Sequence, residues 1–127
     1  MSQMHRYFDL VDIAYNKATL VVRVIELLEG NPDGYVGRPL TITEQSQTFR
    51  IEFDRVTEFR TNAEQCFMAE GPTRDITRFV FECVGSKYAS QACPLGAGAG
   101  EAARHFVVLT ESVVVEVLSP NEPTIEV

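Results

Sequence analysis

Residues 49–60 read FRIEFDRVTEFR, and the way this stretch changes rhythm decides what kind of fold the chain builds. Phe49, Ile51 and Phe53 alternate with Arg50, Glu52 and Asp54, the period-two pattern of a strand with one wet face. At Asp54-Arg55 the alternation slips, and Val56 to Arg60 resumes in another register. A bulge or tight turn accounts for such a slip. Two strands meeting at an abrupt joint point to an antiparallel β structure.

The flanking sequence repeats this grammar. Turn residues recur at short intervals: Asn16-Lys17, Gly30-Asn31-Pro32-Asp33-Gly34, Gly37, Gly71-Pro72 and Ser119-Pro120-Asn121. Between them lie runs rich in Val, Ile, Thr and Phe, which suit strands better than alternating strand–helix units. Residues 76–84, ITRFVFECV, place Phe79, Phe81 and Cys83 on one face and Arg78 and Glu82 on the other. His105–Thr110 and Val113–Leu118 predict a hairpin around Glu111-Ser112, with enough Val for both faces to be covered. Tyr7–Tyr15 and Thr19–Leu28 predict a second hairpin around Asn16-Lys17-Ala18. Thr19–Leu28 carries a second reading. Leu20, Val21, Val24, Ile25 and Leu28 also form a helical stripe, although the β-branched run TLVVRVI opposes a helix. A short helix is expected near Lys87–Gln91 or Glu101–Arg104.

The expectation is therefore a single β-rich domain over residues 1–127. It is mainly β, an antiparallel sandwich or partly open barrel with one or two short helices. The alternative is α+β with a helix near 17–29. Either version buries Phe49, Ile51, Phe53, Phe79, Phe81, Val107, Leu109, Val115 and Val117.

Charge narrows the partners. Eighteen acids against eleven scattered bases give −7, so nucleic acid and anionic membrane surfaces are disfavoured, whereas a basic protein partner is steered inward. No apolar run is long enough to span a bilayer, and MSQMHRYFDL lacks the features of a signal peptide. The odd number of cysteines, Cys66, Cys83 and Cys93, reads as reduced, buried thiols in a cytoplasmic protein.

No catalytic, cofactor or metal motif emerges. Gly96, Gly98 and Gly100 imitate a dinucleotide fingerprint, but Glu101 stands where its third glycine belongs. The crossover helix that would give Glu116 a ribose-binding role is missing as well. The stretch reads as slack chain. His5 and His105 lie far apart without metal-ligand spacing, and His105 reads as a strand-edge residue with a satisfied ring nitrogen. Gly85-Ser86 lacks a nucleophile-elbow pattern, and a Cys93–His105 pair lacks a third orienting group. The alternating charges of Arg50–Glu64 read as a solvated strand face, with Arg50, Glu52, Asp54 and Glu58 as an interaction surface. Within it, Arg60 and Glu64 read as a structural ion pair.

FRIEFDRVTEFRTNAE, FECVGSKYA with its S-x-Y step, and HFVVLTESVVVEVLSPNEPTIEV together resemble small uncharacterised bacterial β-rich proteins of toxin-immunity type. The resemblance covers residues 49–64, 79–88 and 105–127. It implies one β-rich domain and a protective, inhibitor-like role, and it carries over no catalytic residue. The Ala- and Gly-rich segment 96–103 departs from it.

Three functions follow as expectations. The first is a non-catalytic interaction domain, an immunity-type inhibitor capping a basic partner. A β-barrel that binds a small ligand and a small enzyme with a dispersed site are the alternatives. Unblunted strand edges predict a homodimer, with the apolar terminal hairpin as the pairing element.

Overall fold

A computed structural model describes residues 7–29, 40–64, 67, 69, 71–91 and 103–127. The first hairpin joins β1 (Tyr7–Asn16) to β2 (Thr19–Glu29). Its two central residues, Lys17 and Ala18, have φ of 50° and 65°, the left-handed geometry whose twist matches that of the strands. A register shift between Leu10 and Asp12 inserts Val11 as a bulge. The chain continues through β3 (Leu40–Thr41) and β4 (Thr48–Phe53), and β4 pairs with β2.

The helical alternative for 17–29 is thereby overturned. Leu20, Val22 and Val24 are fully buried while Arg23 between them is exposed. β2 lies between β1 and β4 with hydrogen-bonded neighbours on both sides. The β-branched run fits that pleated site, and the helical stripe was coincidental.

The slip at Asp54-Arg55 is a corner between sheets. β4 ends at Phe53, Arg55 takes φ of 51°, and β5 (Glu58–Ala63) opens in the opposite sheet. Two backbone bonds pin the corner: Val56 N–H donates to the Ala18 carbonyl at 2.7 Å and Thr57 N–H to the Leu118 carbonyl at 2.8 Å. Beyond it come β6 (Thr73–Asp75), β7 (Val80–Cys83), α1 (Lys87–Gln91), β8 (Arg104–Leu109), β9 (Val113–Ser119) and β10 (Thr124–Glu126).

Two antiparallel sheets result. The first has the order β1-β2-β4-β10, with β3 added to β2, and the second runs β5-β9-β8-β7-β6. They face each other as a sandwich and do not close into a barrel. Phe8, Phe49 and Phe79 cluster at one end, where Phe8 and Phe79 lie 4.4 Å apart, and Phe53 meets Phe106 at 5.8 Å deeper inside.

Three local expectations need correction. Phe79 does not share a face with Phe81 and Cys83, because it sits in the bend before β7 and enters the main core. Phe81, Val107 and Leu109 instead pack with Cys83, Val114 and Phe67 in a second apolar cluster on the far side of the second sheet. The terminal hairpin offers no edge for dimerisation, since β8 and β9 are inner strands flanked by β7 and β5. The candidate helix at Lys87–Gln91 is present, whereas Arg104 opens β8 and residues 101 and 102 lie outside the described set.

Candidate functional site

Glu116 stands alone among valines and leucine on β9, and strand alternation aims it away from the main core. Pairing sets Arg60 of β5 directly opposite, with Asn62 two residues along, and places His105 of β8 on its other flank. All three converge on one carboxylate. Arg60 donates through Nε to Oε2 at 2.8 Å and through Nη2 to Oε1 at 3.1 Å. Asn62 Nδ2 donates to Oε2 at 2.5 Å, and His105 Nε2 lies 2.9 Å from Oε1. The Glu116 side chain is only 3% exposed.

The far side of the imidazole meets Ser86, whose Oγ is 2.7 Å from His105 Nδ1. Local chain geometry puts it there. After β7 the backbone turns at Gly85 (φ 69°), and Ser86 then caps α1 by accepting the Ala89 N–H at 3.2 Å. The same turn of helix lays the Tyr88 ring beneath the Arg60 guanidinium at 3.7 Å and edge-on to His105 at 5.1 Å.

The electrostatics form a self-consistent hub. Burial pushes the Glu116 carboxyl upward, but the hydrogen bonds and charge of Arg60 and the contact with His105 outweigh it and hold the group below its ordinary value. Arg60 is raised, chiefly by its bond to Glu116. Tyr88 is driven well above the usual phenol range by burial first and by the nearby Glu58 carboxylate second. Because Glu116 is an anion, Nε2 of His105 faces it as a donor. In the neutral imidazole Nδ1 then carries the lone pair that accepts the Ser86 hydroxyl proton.

A second ionic knot lies at the edge of the sandwich. Glu82 of β7 accepts from Arg104 (Nε to Oε2, 2.8 Å) and from Arg74 (Nη2 to Oε1, 2.9 Å), and Glu122 binds both arginines from beyond β9. The bonds from Arg104 lead in lowering Glu82 below its ordinary value. This knot ties β6, β7 and β8 to the chain leading into β10.

The residues singled out from sequence disperse. Arg60 does form an ion pair, but with Glu116 across the sheet rather than with Glu64 along its own strand. Four residues along an extended strand span about 13 Å, out of ion-pair reach, so the partner comes from the neighbouring strand. Arg50, Glu52, Asp54 and Glu58 do not make one surface. Arg50 and Glu52 pair at 2.7 Å on the outer face of the first sheet, Asp54 lies in the corner, and Glu58 begins β5 of the second sheet. His105 belongs to an inner strand, is buried, and engages both ring nitrogens. Cys83 is buried, whereas His5, Cys66, Cys93 and the glycines at 96, 98 and 100 lie outside the described residues.

Sequence reading missed Ser86, Asn62, His105 and Glu116 as one constellation. A usable signal existed: Glu116 interrupts the run VVVEVL, and a lone charge in a doubly covered strand needs buried partners. Elsewhere, a groove of about 220 Å³ at one end of the sandwich is lined by Phe8, Phe79 and Leu109 with Glu64, Arg78 and Glu111 at its polar rim. Among the described residues no cluster of His, Cys, Asp and Glu could hold a metal ion, and no helix is long and apolar enough to cross a membrane. Comparison of the chain with known protein families, with curated proteins and with solved structures finds no match.

Proposed function

We propose that the protein is an interaction module that caps a basic protein partner with its acidic exterior, in the manner of an immunity-type inhibitor. One observation carries this reading: five arginines are held in ion pairs within the domain, while a set of exposed acids takes no part in them. Arg23, Arg50, Arg60, Arg74 and Arg104 are all engaged in ion pairs within the domain. Glu44, Asp54, Glu58, Glu64, Asp75 and Glu111 are exposed and take no part in those pairs. A net charge of −7 therefore acts at the surface, where it raises the rate of encounter with a positive partner and sets its orientation.

At the groove rim Glu64 and Glu111, with Arg78 beside them, adjoin apolar side chains. Such a mixture suits an interface whose apolar centre is ringed by charge. The test is affinity capture from the native host with the wild-type protein and a Glu64→Lys/Glu111→Lys variant. A basic protein retained at low salt, released at high salt and bound at least ten-fold more weakly by the variant is the expected result. Capture that is insensitive to both salt and charge reversal, or no specific capture at all, overturns the reading.

A further inference from the structure

The hub on the outer face of the second sheet contains more than an ion pair. Read in order, Ser86 Oγ, His105 Nδ1, His105 Nε2 and Glu116 Oε1 form a continuous relay, with contacts of 2.7 and 2.9 Å on either side of the imidazole. We propose that Ser86 is the nucleophile of an acyl-transfer site for short-chain esters, with His105 as its general base and Glu116 as the positioning residue that sets the base's tautomer. The inference goes beyond the binding function and uses none of the residues of the acidic rim.

Three features carry it. The first is proton direction. Glu116 is held as an anion by Arg60 and Asn62, so Nε2 keeps its proton, and the neutral imidazole that acts as the base presents the lone pair of Nδ1 to the hydroxyl. The second is the state of the hydroxyl oxygen. With the imidazole neutral, it donates to Nδ1 and accepts the Ala89 N–H, which leaves one lone pair for attack. A helix cap alone requires no histidine. The third is placement, for Ser86 stands at a sharp turn between a strand and a helix, just after Gly85. Unrelated folds hold nucleophile, base and orienting acid by geometry and not by sequence order. Ser86 is only 7% exposed, and that restricts the electrophile to a small acyl group.

The reaction balances within these groups. Ser86 Oγ bonds to the acyl carbon as the ester C–O bond breaks, and the hydroxyl proton passes through Nδ1 to the departing alkoxide. Water then attacks the acyl-serine. Its proton goes to Nδ1 and on to Ser86 Oγ, so that ester and water become acid and alcohol.

Full-length protein is treated with a biotinylated fluorophosphonate, which forms a Ser–O–P bond with loss of fluoride, and the site is mapped by tandem mass spectrometry. Turnover of p-nitrophenyl acetate is followed in parallel. Phosphonylation at Ser86 is expected, slowed about 100-fold or more in His105→Gln, as removal of a general base requires. Ser86→Ala should abolish acetate turnover, and Ser90→Ala on the same helix should label like the wild type. Absence of label on Ser86 in folded wild-type protein, or an equal rate in folded His105→Gln, overturns the proposal. Should that variant fail to fold, the pH profile of wild-type labelling decides. A rate that rises through one ionisation supports the relay, and a flat profile refutes it.

Discussion

The outer faces of the two sheets both carry arginine–acid pairs, and the pairs behave in opposite ways. On the first sheet, Arg23 pairs with Asp12 and Arg50 with Glu52, all four partly or largely in water. On the second, Arg60 pairs with Glu116, whose carboxylate is 3% exposed beneath the His105, Asn62 and Tyr88 shell. An arginine beside an acid has no inherent weight. Its consequence depends on what else covers the pair, and here a single turn of helix after β7 makes the difference. The exposed pairs trade water for one another at little net gain, whereas the buried carboxylate would be severely under-solvated without its donors.

The sharpest way to break this contrast is Glu116→Ala. It leaves Arg60, Asn62 and His105 facing the position of a missing anion, and it removes the group that orients the imidazole. Loss of one member of a buried charged network costs about 3 kcal/mol. Urea denaturation should register it as a lower midpoint with an unchanged slope. A loss below about 1 kcal/mol would mean that water already reaches the hub and that the two faces are alike.

Acid titration sharpens the comparison at smaller scale. Glu116 and Glu82 both have folded pKa values lowered from 4.5. Each therefore contributes stability that is fully present above that value and is lost as the pH falls through the lower, folded value. The urea midpoint should hold from neutrality down to about 4.5 and then decline. Glu82→Gln/Glu116→Gln should flatten the decline. Asp12 is also lowered, by its bond to Arg23, but it lies in solvent on the first sheet, so Asp12→Asn should leave the acid limb as it is. An acid limb unchanged in the double variant would locate the pH sensitivity elsewhere.

The strands and corners were legible because they rest on local signals. The alternation of Phe49, Ile51 and Phe53, its slip at Asp54-Arg55 and the turn at Asn16–Thr19 each follow from neighbours a few residues apart. The hub was not legible, because its members come from residues 60, 62, 86, 88, 105 and 116 and meet only once four separate elements have packed. The choice of Glu64 for Arg60 shows the limit. Spacing along one strand cannot reveal which strand becomes its neighbour, and the true partner is 56 residues away. Phe79 makes the same point in the core, since its period-two match to Phe81 dissolves in the bend preceding β7.

The smallest expected effect tests whether the first face is as bare as it looks. Arg50 pairs with Glu52, two residues along the same strand, and lies directly opposite Arg23 on β2. Arg50→Ala therefore removes one exposed attraction and one exposed repulsion between like charges. The two are of similar size and both are screened by salt. The net change should stay within about 0.5 kcal/mol, and it should shrink further as salt is raised. A loss above about 1 kcal/mol in the isolated protein would require the pair to be shielded from water. The outer face of the first sheet would then have to be covered by a second copy of the chain, and the distinction between a wet face and a covered one would belong to the assembly instead of the single domain.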